Sequence, residues 1–183
     1  LKVARENHLH SDVVNLYIEA ALVEQHKAMG EQGDDRENAV EQRGLFAAEA
    51  DQYVKEHHLT GLQYRPLMFL GMAATLEQNY DQAMDFFKQA QDALHDSEEY
   101  QANKANELEL LGRIAAAHIY TGDAVEGMRL AHEVSDKFDN TDEGRDLKVA
   151  DESTWKIWKT GVAIRAIRAA LDTGADVDKQ ELK

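Results

Sequence analysis

The sequence predicts an all-α fold, and three observations carry that expectation. The 183-residue chain has one proline, 11 glycines and few long Val/Ile/Thr runs, so it lacks the punctuation of an all-β protein. Apolar residues recur at helical spacing, as in Ala83, Phe87, Ala90 and Leu94, with Asp81, Asp85, Lys88 and Asp92 on other faces. Capping signals and short polar turns separate those segments at close intervals. With 43% hydrophobic residues the chain has enough apolar material for a packed core.

Ser11 and Asp12 open the first predicted helix, which places Val13, Leu16, Tyr17, Ala20 and Ala21 on one side and stops at Gly30. A second runs from about Arg36 to His58 with Leu45, Phe46, Ala48, Tyr53 and Val54 as apolar positions. Thr60 and Gly61 close it, Gly61 being the expected left-handed cap. Pro66 suits a first helical turn, where its missing N–H goes unneeded, so a third helix covers about Arg65 to Gln78. Asn79 with Gln82 forms a capping-box signal for a fourth, to about His95. Asp96 with Glu99 repeats the signal for a long fifth helix ending near Tyr120. Asp123 with Glu126 opens a sixth, to about Phe138. DNTDEGRDLKVADE is expected to be irregular, Trp155 to Leu171 a seventh helix, and the tail DTGADVDKQELK the start of an eighth. Helix, short turn, helix is the pattern of an antiparallel hairpin array, with hairpins at about 11–58, 65–95, 97–138 and 153–183 in a single domain.

The stretch LEQNYDQAMDFFKQAQDAL, with the segment before it, resembles a tetratricopeptide repeat. Leu67, Leu70 and Gly71 have the spacing of that family's first-helix W-x2-L-G, and Tyr80, Ala83, Phe87 and Ala90 match its second helix. Leu67 stands for the aromatic, Ala74 for the tyrosine, and His95 for the closing proline. A second copy places Leu111, Ile114 and Ala115, then Gly127, Ala131 and Val134, in phase with the first. Its spacing exceeds the family period of about 34 residues because of the long fifth helix. The resemblance covers about Arg65 to Phe138. It implies hairpins stacked as a right-handed superhelix (an α-α solenoid), Phe87 as a wedge between hairpins, and a concave groove that accepts a protein or peptide. By matched position the groove takes Arg65, Met68, Met72, Thr75 and Leu76 from one unit, and Glu109, Gly112, Arg113, Ala116, Ile119 and Tyr120 from the next. The groove is either open to a partner or filled by the chain's own next element. Arg65 and Arg113 are the only cations near the positions at which such folds clamp a C-terminal carboxylate. A second candidate surface is the Trp155–Leu171 helix, where Trp155 and Trp158 accompany Lys156, Lys159, Arg165 and Arg168 with no acid among them. Pairing with neighbouring acidic helices is the alternative reading of those cations.

Composition excludes several functions. Thirty-five acidic against 20 basic residues give a formal charge of −15, which repels a phosphate backbone, so no nucleic-acid partner is expected. No apolar run approaches the ~18 residues of a membrane span, so no membrane insertion is expected. The absence of cysteine excludes thiol chemistry and does not choose between a cytosol and a periplasm; the compartment stays open, with cytoplasmic favoured and periplasmic the alternative. LKVARENHLH has neither the apolar core nor the cleavage site of a signal peptide, and without an initiating Met the chain reads as an excised piece.

Glu6, His8, His10 and Asp12 cluster near the start, but i, i+2 residues diverge on a helix and would converge on a metal only if the terminus were irregular. His57 and His58 sit where a cation complements a helix end. No H-E-x-x-H motif or pair of E-x-x-H motifs occurs. Asp139, Glu143 and Gly144 resemble parts of a calcium loop, yet Thr141 and Ala150 stand where carboxylates are needed. Asp172-Thr173-Gly174 spells an aspartic-protease tripeptide once, with no second copy. The expectation is a non-catalytic binding module with no cofactor and an oligomeric state left open. A sensor or regulatory domain of a larger regulator and a metal-dependent helical enzyme are the alternatives.

Overall fold

A computed structural model of the protein describes residues 9–175, all in helices and turns without a strand. The chain forms two compact units, Leu1–Glu98 and Glu99–Lys183. In the first, α1 (His10–Gly30) and α2 (Gly33–Glu56) make one antiparallel hairpin, and a 3-10 turn (Thr60–Leu62) leads to a second made of α3 (Tyr64–Leu76) and α4 (Tyr80–Leu94). Helix α3 packs on α4, α2 and α1. After α5 (Glu98–Ala102), the second unit pairs α6 (Asn106–Tyr120) with α7 (Ala124–Asn140). Next come α8 (Asp142–Ala150) and α9 (Glu152–Thr173), with α9 packed on α6, α7 and α8.

The turns have a common construction. After α2, α3, α6 and α9 one residue adopts a left-handed backbone: His58 (φ 54°), Gln78 (φ 63°), Gly122 (φ 96°) and Gly174 (φ 66°). In each case the following N–H reaches back to a carbonyl of the last turn, as Asn79 does to Ala74 and Asp123 to His118 (2.9 and 2.8 Å). The closing motif therefore satisfies the helix-end carbonyls even where the residue is not glycine. The expected cap residue Gly61 lies instead inside the 3-10 turn; His58 takes the left-handed position.

Other expectations shift as well. The long fifth helix is two, because the Asn103 side chain accepts the Ala105 N–H (3.0 Å) while its carbonyl accepts the Asn106 N–H (3.1 Å), a local turn that competes with helix. The segment expected to be irregular is mostly α8, started by the Thr141 hydroxyl accepting the Gly144 N–H. Asp123 and Asp151 cap α7 and α9 with their carboxylates. Asn79 precedes α4 but makes no side-chain cap bond, so its box is incomplete. In α1 and α2 the buried faces are rotated from those expected. Leu16, Leu45 and Ala48 are exposed, and Val14, Ile18, Ala39, Ala47 and Ala50 are buried beside Val13, Tyr17 and Val54. The expected eighth helix lies largely outside the described residues.

Two glycines set how closely the hairpins close. A Cβ on Gly71 would lie 2.5 Å from Phe87 Cε1, and one on Gly127 would lie 2.5 Å from Ile119 Cγ1 and 2.6 Å from the Ala115 carbonyl oxygen. Phe87 is thus seated on its own hairpin's first helix, where the expected position was between hairpins. Phe87→Ala should cost about 3–5 kcal/mol through the cavity it leaves, and Gly71→Ala about 1–3 kcal/mol by displacing the ring. In the Phe87→Ala background, Gly71→Ala should turn neutral or stabilising, because the methyl group enters the vacated space and helix propensity improves. Urea unfolding of the two single variants and the double variant checks this; additive effects would contradict the contact.

Candidate functional site

In the first unit, the groove positions of α3 face the α1–α2 hairpin. The Arg65 guanidinium donates to Asn15 Oδ1 of α1 at 3.1 Å and lies 3.9 Å from the Glu19 carboxylate. Met68 and Met72 retain only 5% and 7% exposure, and Tyr64 Oη donates to Met68 Sδ at 3.3 Å. Arg43 of α2, a buried cation not foreseen in the core, donates to the Met72 carbonyl at 3.1 Å. The Thr75 hydroxyl turns back to the Gly71 carbonyl of its own helix. Leu76, at the end of α3, stays at the surface. This face is therefore filled by the chain itself, and Met68 and Met72 act as packing residues.

The second unit repeats the arrangement, with α9 in the covering position. Ala116 and Ile119 are buried under it. A Cβ on Gly112 would meet Val162 Cγ2 at 2.7 Å. Tyr120 Oη donates to Asp172 Oδ2 at 2.9 Å, joining the last turns of α6 and α9. Trp155 is buried, its indole N–H donating to the Phe138 carbonyl at 3.0 Å, one of the orphan carbonyls at the end of α7. Lys148 and Lys159 stand over its ring at 4.4 and 5.0 Å. Trp158 is partly buried against the same core.

Three of the four cations of α9 have acidic neighbours. Lys159 pairs with Asp139 at 2.6 Å, Lys156 with Glu152 at 2.8 Å, and Arg168 lies 3.8 Å from Asp172. Arg165 differs: its Nε and Nη2 are buried without a hydrogen-bond partner. Beside it Arg113 donates from Nη2 to Glu109 Oε1 at 2.5 Å. Burial first, then the Arg113 charge, lower the Arg165 guanidinium to about 9, with Glu109 opposing them; it is still cationic at neutral pH.

Helix α9 was expected to offer a surface through Trp155, Trp158 and its cations; the residues that reasoning missed are an apolar row on its outer face. Ile157, Ile164 and Leu171, seven residues apart, are 66%, 58% and 77% exposed and form one apolar stripe. The sequence holds the signal, since a helix with Trp155, Val162, Ala166 and Ala169 on one face has no core reason for a second apolar row.

A cleft of about 580 Å³ opens in the first unit between the first turn of α1 and the α2–α3 connection, with His10, Asp12, His58 and Leu62 in its wall. His10 Nδ1 lies 3.0 Å from Tyr53 Oη, and the His57 ring is centred 5.2 Å from that of His10. Glu6 and His8 fall outside the described residues, and among those described no three His, Cys, Asp or Glu side chains are placed to hold a metal. The calcium-loop pattern is overturned where Asp142–Ala150 folds as helix, and Asp172-Thr173-Gly174 is the end of α9 and its cap. No helix of the described residues is long and apolar enough to cross a membrane.

No family model matches this chain, and neither a curated protein nor a solved structure matches it significantly. The arrangement is therefore argued from its own geometry: two helical hairpins whose groove faces are covered, and one helix with an uncovered apolar row.

Trp155→Phe keeps an aromatic ring, removes the donor to the Phe138 carbonyl and leaves part of the indole's buried volume empty. It should lower stability by about 1–3 kcal/mol for the unsatisfied buried acceptor, and further for the lost packing. Urea unfolding monitored by circular dichroism measures it; an unchanged midpoint would mean that the bond is not formed.

Proposed function

We propose that this protein is a non-catalytic binding module that takes an amphipathic helix with acidic flanks on the outer face of α9. The observation that carries the reading is the exposed Ile157–Ile164–Leu171 stripe. A heptad-spaced apolar row on a 22-residue helix has the form of a helix–helix seam, and side chains so exposed contribute nothing to their own unit's core. Lys156 and Arg168, both largely exposed, flank the row and supply charge complementarity to an acidic partner within a chain that is otherwise strongly negative.

A tetratricopeptide-like packing supports the same class of function. Gly71 and Phe87, matched to the repeat pattern by sequence, are the residues that close the α3–α4 hairpin; the α6–α7 hairpin also closes on a glycine, with the roles exchanged, Gly127 of the second helix facing Ile119 of the first. A partner in this reading binds the covering helix, because the groove positions on α3 and α6 are already occupied by α1, α2 and α9.

Selection from a display library of helical peptides tests the proposal. Enriched binders should carry apolar residues at i, i+3 or i+4, and i+7, with Asp or Glu beside them. Ile157→Ser, Ile164→Ser and Leu171→Ser together should weaken them about a hundredfold or more while changing stability by no more than about 0.5 kcal/mol per site. Binders indifferent to the triple change would overturn the reading, as would anionic vesicles captured through the same three residues.

A further inference from the structure

The α6–α9 crossing holds two arginines and one glutamate beneath the surface. Glu109 and Arg113 keep 10% and 15% of their side-chain exposure, and their ion pair occupies the one carboxylate in the cluster. Arg165 reaches the cluster over two glycines on facing helices. A Cβ on Gly161 would lie 2.7 Å from its Nη1, and one on Gly112 would lie 3.2 Å from its Nη2. The absence of side chains at those two positions lets the guanidinium lie against both backbones. Its Nε and Nη2 are both buried without a partner, and so is the Nε of Arg113 beside it. Within Arg165, Nε and Nη2 are the two donors that point the same way from one edge of the guanidinium, the fork that fits both oxygens of a carboxylate.

An uncompensated buried cation is costly, and leaving the donors of its fork unmatched adds to that cost. The other cations of α9 are met by Glu152, Asp139 and Asp172, whereas Arg165 has near it only Glu109, which is already paired with Arg113. We infer that the α6–α9 seam is a carboxylate-binding site, in which Arg165 grips the ligand side-on and Arg113, tethered by Glu109, supplies the second positive charge. Arg165 is half-buried as a residue while its Nε and Nη2 are fully covered, so a ligand reaches the fork by displacing part of that cover. A free small carboxylate and a glutamate side chain of a peptide present the same group.

NMR titration of the isotope-labelled protein tests this, following the Arg165 Nε–H and the backbone amides of Gly112 and Gly161. Two probes are compared with chloride at constant ionic strength: acetate, and acetyl-glutamate amide. A saturable shift with acetate supports the site with a free carboxylate as ligand; one with the glutamate derivative alone assigns it to a chain carboxylate. Arg165→Lys keeps the charge but loses the fork and should weaken binding about tenfold or more. Glu109→Gln removes the internal competitor and should tighten binding severalfold, and the amide spectra of both variants report whether the fold is kept. The inference is overturned by shifts that chloride reproduces, by no saturable shift with either probe, or by equal binding in Arg165→Lys.

Discussion

The structure depends on glycines that face bulky side chains where helices cross. Gly71 accepts the Phe87 ring, Gly127 accepts Ile119, and Gly112 accepts Val162 with Arg165 beside it. In each case a Cβ would stand inside the van der Waals radius of its neighbour, so the helices can approach only because that atom is missing. Dense interiors do not tolerate even one extra methyl group without movement. These contacts fix the separation within the α3–α4 and α6–α7 hairpins, and in the second unit they fix the approach of α9 to α6 as well.

Close approach has a functional consequence. Helix α3 is enclosed by α4 on one side and by α1 and α2 on another, and α6 is enclosed by α7 and α9. The first-helix faces that the sequence resemblance assigned to a peptide groove are therefore spent on internal packing: Met68 and Met72 in one unit, Ala116 and Ile119 in the other. What the packing leaves over, and where the proposed binding is placed, is an apolar row on the outside of α9 and the buried cationic fork of Arg165 in its seam with α6. Both features lie on the helix whose composition, aromatic and basic in an acidic chain, is the least typical of the molecule.

The helices themselves were legible in the sequence, and the reasons are local. Asp123 before α7 caps as its pattern implies, and the stripe Ala83, Phe87, Ala90 and Leu94 is buried throughout. Failures arise where a local hydrogen bond or a neighbouring helix decides. Asn103 breaks a helix through its own side chain, Thr141 starts one in a stretch that reads as loop, and His58 takes a backbone conformation expected of Gly61. The α1 and α2 faces were read in part: Val13, Tyr17, Ala21, Tyr53 and Val54 are buried as expected, but alanines, which carry little apolar signal, form much of the rest while Leu16 and Leu45 face outward. The site was less legible than the fold. Periodicity marks Met68 and Met72 as apolar without saying which element covers them, and Arg165 was one cation among four until the positions of Asp139, Glu152 and Asp172 left it without a partner.

That the first-helix groove is closed by the chain's own helices is the claim on which the functional argument turns. Hydroxyl-radical footprinting, with oxidation of individual methionines read by mass spectrometry, tests it most directly. In the folded protein Met68 and Met72 should be protected as strongly as Met84, which lies in the core of the α3–α4 hairpin, and all three should become reactive together only as urea unfolds the chain. Rapid oxidation of Met68 and Met72 in the native protein, with Met84 still protected, would show an open groove and contradict the account.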